Sequence, residues 1–333
     1  MKKVLGKVFY FFVFIFFAAS LLLIAQIKPK VNIVGGDNNP ALKKKIQNVL
    51  EVSLLEINRT QKGKGTISAL KPFFTDEAFN VFNEFVITNK PYTARKTYQP
   101  QMIERNNGNA FDIRSISLKV DVGDSENSDT QNLVFSFNKS GVINSVRIVL
   151  PNYDYQSIIA QGTSQVDSAM RGQILDFIEQ FRMAYNTKDI NFLKKVYSDD
   201  ALIITGTMIT EKKETNEMLQ KSFLSKSKIR LVQQTKEEYI DKLVNKIFKF
   251  NKYLNIRFEE LQIIQHEKYP YIYGVSCWQH WNTSTYSDKG YLFLMMDFKN
   301  INEPVIHVRT WQPKAFEEDE SYISLYDFDV VAY

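Results

Sequence analysis

The sequence predicts an α+β protein in two successive halves, and three observations carry that reading. Apolar residues recur at helical spacing near the start of each half, runs rich in Ile, Val, Tyr, Phe and Trp close each half, and turn-forming residues separate those runs. Helices and strands segregated in this way favour an antiparallel sheet over the alternating units of a parallel one.

The first element precedes the fold. Val8 to Ala25 is an 18-residue run without a charge, preceded by Lys2, Lys3 and Lys7 and followed by Lys28 and Lys30. Its length suits a membrane-spanning helix, because a signal-peptide core is usually about 7 to 15 residues. The best cleavage point follows Ala25 and puts Leu23 where a small residue is wanted. An N-terminal anchor in residues 1–30 is therefore expected, with a cleaved signal peptide as the alternative. In either case the flanking lysines place residues 31–333 outside the cytoplasm, in the cell envelope.

Those five lysines also account for the net charge. The chain has 42 Lys plus Arg against 37 Asp plus Glu, a formal +5, and the first thirty residues contain no acid. The remaining 303 residues are neutral overall, so nucleic acid is not an expected partner. Cys277 is the only cysteine, which excludes an intrachain disulfide, a thiolate zinc site and an iron-sulfur cluster. A hydrophobic share of 44% and a charged share of 24% are those of a chain that folds around a core.

Residues 31–40, with Gly35, Gly36, Asn38, Asn39 and Pro40, have linker composition. In the first half, 41–150, Val49, Leu50, Val52, Leu54, Leu55 and Ile57 mark a helix, and Phe79, Val81, Phe82 and Phe85 a second. Runs at 111–122, 131–137 and 142–150 read as strands, the last two joined through Asn138 to Gly141 with Gly141 suited to a left-handed turn position. Residues 151–165 read as a second linker. In the second half, 166–315, Ile174, Phe177, Ile178, Phe181, Ala184 and Tyr185 form the stripe of a helix over about 168–186, and Asp189 caps a short helix with Leu193, Val196 and Tyr197 inward. Thr235 and Glu238 have capping-box spacing and open a third helix whose expected buried face is Tyr239, Ile240, Leu243, Val244, Ile247 and Phe248. Runs at 256–266, 271–282, 290–299 and 304–312 then read as strands.

The halves share a string. Leu70 to Phe79 aligns with Leu193 to Leu202 at an offset of 123 with four identities in ten, which suggests an internal repeat.

The stretch from Ile174 to Ile204, a helix, Asn186-Thr-Lys-Asp189, a short helix and Tyr197-Ser-Asp-Asp-Ala201 before a strand, resembles the opening of nuclear-transport-factor-2-like domains. The resemblance covers about 165–315 and extends in weaker form to 40–150, where the Phe137-Asn-Lys-Ser-Gly141 hairpin is also similar. It implies two tandem cone-type domains, each with N-terminal helices packed on a bent antiparallel sheet. The closing strands, with Tyr291 to Leu294, Asp297-Phe298 and Ile306 to Pro313, resemble those of uncharacterised bacterial envelope proteins of that superfamily. The superfamily includes enzymes, adaptors and inert binding modules, so the resemblance speaks to fold more than to function.

No zinc-hydrolase, phosphate-loop, nucleophile-elbow or dinucleotide motif is present, and the histidines are His266, His280 and His307 only. No metal site and no cofactor are expected. The unusual residues lie on the last three strand runs: Trp278, His280 and Trp281, then Asp297, then His307, Arg309 and Trp311. Strict alternation puts His307, Arg309 and Trp311 on one strand face. Ketosteroid isomerase and scytalone dehydratase, which the resemblance brings in, do proton transfer with an Asp, or an Asp and a His, inside the cone. This implies a lyase or isomerase in which Asp297 and His307 transfer a proton while Arg309 holds an anionic group. The competing expectation, preferred because Asp-Arg pairs under Trp are common structural devices, is a non-catalytic protein binding a partner or small ligand through Trp278, His280, Trp281, Arg309 and Trp311. Dimerisation through the sheet face is a further expectation.

Charge within the second half is uneven. Residues 211–257 hold twelve bases and six acids, whereas the tail, 316–333, carries six acids and no base. Such runs ordinarily mark a solvated helix face and a loose end; the functional alternative is an acidic tail that docks on a basic surface or recruits a partner, and Tyr322, Leu325, Tyr326 and Phe328 argue against a fully disordered tail.

Overall fold

The computed structural model describes residues 28–105, 108–120, 129–161, 166–209, 228–317 and 320–328. The fold is α+β and the chain divides into two compact units. Among the described residues, the first comprises those from 28 to 86, Lys90–Val120 and Leu133–Val146, and the second is built mainly from those between 147 and 328. The expected membrane segment, Val8 to Ala25, lies outside the described residues. Among the described residues no helix is long and apolar enough to cross a membrane.

In the first unit, β1 (Lys30–Val31) pairs in parallel with β3 (Thr97–Tyr98). The stretch expected to be a linker thus enters the fold, with Val31 and Ile33 buried and the Val31 amide donating to Glu51 Oε1 at 3.1 Å. Helix α1 (Pro40–Gln61) starts where Asn39 Oδ1 accepts from the Leu42 amide and buries Ile46, Leu50, Leu54 and Ile57. A 3₁₀ segment (Ile67–Phe73) leads to α2 (Asp76–Asn89), capped by Thr75. The sheet is formed by β2 (Tyr92–Thr93), β4 (Gln101–Arg105), β5 (Ala110–Val120), β6 (Asp129–Asn138) and β7 (Ile143–Val149), with β2 and β4 both pairing β5. Phe82 and Phe135 meet edge to face at 5.8 Å in the core. The β6–β7 turn has Gly141 at φ +71°, the left-handed conformation expected of it.

The second unit begins with another departure from expectation. The stretch read as a linker holds helix α3 (Asn152–Ile159), with Tyr155 and Ile158 buried. Arg171 ties its end down by donating to the Ile159 and Val166 carbonyls. Helix α4 (Ser168–Asn186), capped by Asp167, buries the predicted stripe. It is fixed at its C-terminal end where Asn186 Oδ1 accepts from the Ile256 amide at 2.8 Å. Asp189 caps α5 (Ile190–Val196) as expected. Strands β8 (Tyr197–Ile209) and β9 (Lys228–Gln234) follow before α6 (Lys236–Lys242), so helices and strands are less segregated than the sequence suggests.

The capping box at Thr235 and Glu238 forms. The helix then widens into a π-turn over Leu243–Phe248, which rotates the side chains that follow. Val244, expected to be buried, is therefore exposed, and Ile247 is only partly covered. Strands β10 (Leu254–Gln265), β11 (Ile272–Thr283), β12 (Ser287–Asp297) and β13 (Val305–Gln312) complete a six-stranded sheet of order β10-β11-β12-β13-β8-β9. All neighbours are antiparallel except β13 and β8.

The aligned strings occupy different structures. Leu70 to Phe79 runs into the N-terminus of α2, where Thr75 Oγ1 accepts from the Ala78 amide, whereas Leu193 to Leu202 passes from α5 straight into β8. A shared Asp and Ala are compatible with a helix start or a strand start, and the flanking residues decide which forms. The string is not a structural repeat.

The acidic tail docks through its apolar residues. Ile323 and Leu325 are buried against Ile272, Phe293, Met295 and Val308, and Phe328 stacks on Phe293 at 5.9 Å. Gln312 Oε1 accepts from the Ile323 amide at 2.7 Å. The surface under it is an apolar sheet face and not a basic one. Residues 210–227, which carry part of the basic stretch, lie outside the described residues.

Candidate functional site: a cavity over Arg309

The sheet of the second unit has one face under the helices and one under the tail. Along β11, Cys277, Gln279 and Trp281 are buried while Trp278 and His280 are half-buried. The period of two therefore splits the predicted trio. Trp281 meets Tyr185 of α4 edge to face at 5.6 Å. Trp278 lies on the tail side, against Tyr291 and Tyr322 at 5.8 and 5.7 Å. His280 pairs with Glu259 at 2.7 Å. Burial alone would raise the Glu259 carboxyl, but His280 together with Lys289 and Arg257 outweighs it and holds the group below its usual range.

On β13 the expected face is broken by a bulge. Met295 pairs with Val308 and Met296 with Ile306, so His307 is an extra residue on its strand. Arg309 and Trp311 sit opposite Leu294 and Leu292, whereas His307 is displaced toward Ser198 and Asp297. His307 Nδ1 is 3.1 Å from Ser198 Oγ, and its Nε2 is 3.7 Å from Asp297 Oδ2. The structure places Asp297 beside His307, but neither is among the residues that line the cavity with Arg309. Asp297 instead accepts from the Lys299 amide at 2.6 Å at the end of its strand. Asp297→Asn keeps that acceptor, so it is expected to leave binding in the cavity described next unchanged and to shift stability by less than about 1 kcal/mol. Calorimetric titration and a thermal melt check both.

Arg309 is 4% exposed and lines a cavity of about 430 Å³ together with Gln279, Trp281, Tyr239, Tyr286 and Trp311. Its guanidinium carbon lies 5.2 Å from the centroid of the Tyr239 ring, a cation–π arrangement, and its Nη2 donates to Gln279 Oε1 at 3.4 Å. Among the described residues no carboxylate forms an ion pair with it. Behind it three buried tyrosines share their hydroxyls, Tyr185 Oη lying 3.0 Å from Tyr197 Oη and 2.6 Å from Tyr239 Oη. Burial, and then the neighbouring phenols, push Tyr185 and Tyr197 well above the ordinary tyrosine range, so both stay neutral. Tyr286 is pushed up to about 12 by burial and then by Asp288. Asp288, also on the cavity wall, is raised by burial, with the Lys289 amide opposing the shift. Burial likewise raises the Cys277 thiol, which removes it as a nucleophile. Among the described residues no group of three or more His, Cys, Asp or Glu is placed to hold a metal ion.

The sequence reading found Trp281, Arg309 and Trp311 but missed Gln279 and the tyrosines. Tyr185 and Tyr239 sit in apolar stripes and count there as core. Gln279 carries a signal, since it is a polar residue at an inward position of a strand whose inward neighbours are Cys277 and Trp281.

No protein-family model matches the chain, and a search of curated proteins finds no match. Solved structures with a similar fold include nuclear-transport-factor-2-like proteins. One, from Cytophaga hutchinsonii, is 13% identical, with 43% of this chain and 97% of that one covered at a TM-score of 0.30. Another, of unknown function from Shewanella oneidensis, is 12% identical, with 42% and 97% covered at 0.28. A chain of naphthalene 1,2-dioxygenase with indole bound in its active site is 6% identical, with 51% and 92% covered at 0.34.

Proposed function

We propose that the second unit is a cone-type domain that binds a small organic ligand in the cavity over Arg309 and does not transform it, and that residues 8–25 hold the protein in the envelope membrane with both units outside the cytoplasm. The ligand-binding reading is carried by one observation: a half-open, aromatic-lined cavity of about 430 Å³ has a buried arginine in its wall. Binding sites are typically cavities of about 300–1,000 Å³ with apolar walls and a few polar groups that orient the ligand. The non-catalytic reading is supported by where the expected proton-transfer pair lies. The titratable groups of the cavity wall are phenols, Lys242, Asp288 and Arg309, and the pair expected to transfer protons, Asp297 and His307, lies elsewhere. The tail-covered face of the sheet, where a homodimer was expected, carries its own Ile323, Leu325 and Phe328, which supports a small-molecule role over assembly through that face.

A ligand that binds only the folded chain raises its stability by about 2.7 kcal/mol at one hundred times its dissociation constant. A thermal-shift screen of one- and two-ring molecules against the full chain is therefore expected to give saturable increases in Tm. Ile247→Trp, which places an indole in the cavity from the π-turn, is expected to abolish them. A chain whose Tm no such molecule moves, or one whose responses survive Ile247→Trp, contradicts the reading.

A further inference from the structure

Three buried nitrogens face one problem. Arg309 Nε, Gln279 Nε2 and Trp281 Nε1 each lack a hydrogen-bond acceptor among the described residues, and all three side chains line the same cavity. The residues are 4%, 1% and 7% exposed, so bulk water does not reach them freely. Buried donors are almost always paired, and each one left unpaired is costly. All three are donors, and the group that would answer them is an acceptor. Gln279 is oriented for this: its carbonyl oxygen is already used by Arg309 Nη2, which leaves its NH₂ as the free end. Trp281 has no other polar function. Among the described residues no carboxylate pairs with Arg309, whose charge is met by the π-face of Tyr239 and by the Tyr185 hydroxyl.

Resting on the reading of the cavity as a ligand site, we infer that its ligand is an aromatic or otherwise apolar carboxylate, whose two oxygens accept from Arg309, Gln279 and Trp281. A guanidinium takes a carboxylate in a planar two-point contact, and the aromatic walls formed by Tyr239, Tyr286, Trp281 and Trp311 take the apolar body. The volume is about three times that of the roughly 150 Å³ cavity known to hold benzene, which suits a ring with a short acidic side arm. The tyrosine cluster behind Arg309 is neutral, so it supports the guanidinium through the Tyr185 hydroxyl without cancelling its charge.

The test uses the full chain, cinnamate as probe and cinnamamide as its uncharged isostere, with affinities measured by titration calorimetry. Cinnamate is expected to bind at least about tenfold more tightly than cinnamamide, the ratio that one charge-assisted contact provides. Arg309→Met is expected to weaken cinnamate by about a hundredfold and cinnamamide by less than about threefold. Trp281→Phe keeps the ring and removes one donor, so it is expected to weaken cinnamate several-fold and leave the amide unchanged. Equal affinities for acid and amide in the wild-type chain, with both lost in Ile247→Trp, overturn the anion inference and leave the cavity reading standing. Neither probe binding the wild-type chain, or both binding Ile247→Trp as well as wild type, overturns the two together. The acid-to-amide ratio in the wild-type chain requires no variant to fold.

Discussion

Arg309→Met is expected to melt at a higher temperature than the wild-type chain when no ligand is added. Arg309 places a full positive charge at 4% exposure, with a long hydrogen bond to Gln279 at 3.4 Å, the Tyr239 ring and the Tyr185 hydroxyl as its compensation. Desolvating an ion costs several kcal/mol, and replacing buried ionic groups by apolar residues of similar volume is often stabilising by about 1–4 kcal/mol. Methionine nearly matches the length of the arginine stem and fills space against Leu294 without leaving a charge. A gain of about 1–3 kcal/mol corresponds to roughly 2–12 °C for a unit of this size. Scanning calorimetry of dialysed protein checks it. A fall in Tm would mean that the guanidinium is a net structural tie and would remove the argument that its charge is kept for a ligand. A residue that weakens the fold and completes a binding wall is the pattern expected where function is kept at the expense of stability.

Truncation of the tail after Lys314 is expected to lower the Tm of the second unit and to convert the chain to a self-associating one. Leu325 is 2% exposed in a cluster with Ile272, Phe293, Met295 and Val308. Leu325→Ala alone is expected to cost about 2–5 kcal/mol, the usual range for a buried leucine. Removing the whole segment also takes away the stack of Tyr322 on Tyr291 at 4.3 Å and of Phe328 on Phe293. The sheet face then left open is apolar, and an exposed patch of that kind promotes association. Light scattering of the truncated and full chains, with the Tm of each, reads both effects. A truncated chain that stays at the mass of the full chain and melts at the same temperature would show that the tail does not cover this face.

What was legible in the sequence follows the range of the interactions involved. The α4 stripe, the caps at Asp189 and Thr235, and Gly141 in its turn rest on contacts within a few residues, and they form as read. Residues 31–40 and 151–165 were misread because Val31 and Tyr155 are buried by partners distant in sequence, and Gly, Asn and Pro nearby mask so short an apolar signal. The pairing of Asp297 with His307 was read from adjacent strands, but their place relative to Arg309 was not. A single bulge between Ile306 and Val308 changes which face His307 joins, and a period of two cannot see an inserted residue.

The sequence by itself determined an α+β chain with a lysine-flanked uncharged run at its start, a neutral remainder and one cysteine that excludes an intrachain disulfide, because composition and local periodicity are properties of the chain. Only the tertiary structure decided that Arg309, Gln279 and Trp281 share one cavity while Asp297 and His307 stand apart from it. Whether a donor is satisfied depends on which acceptors long-range packing brings within about 3 Å of it, and no local pattern records that distance.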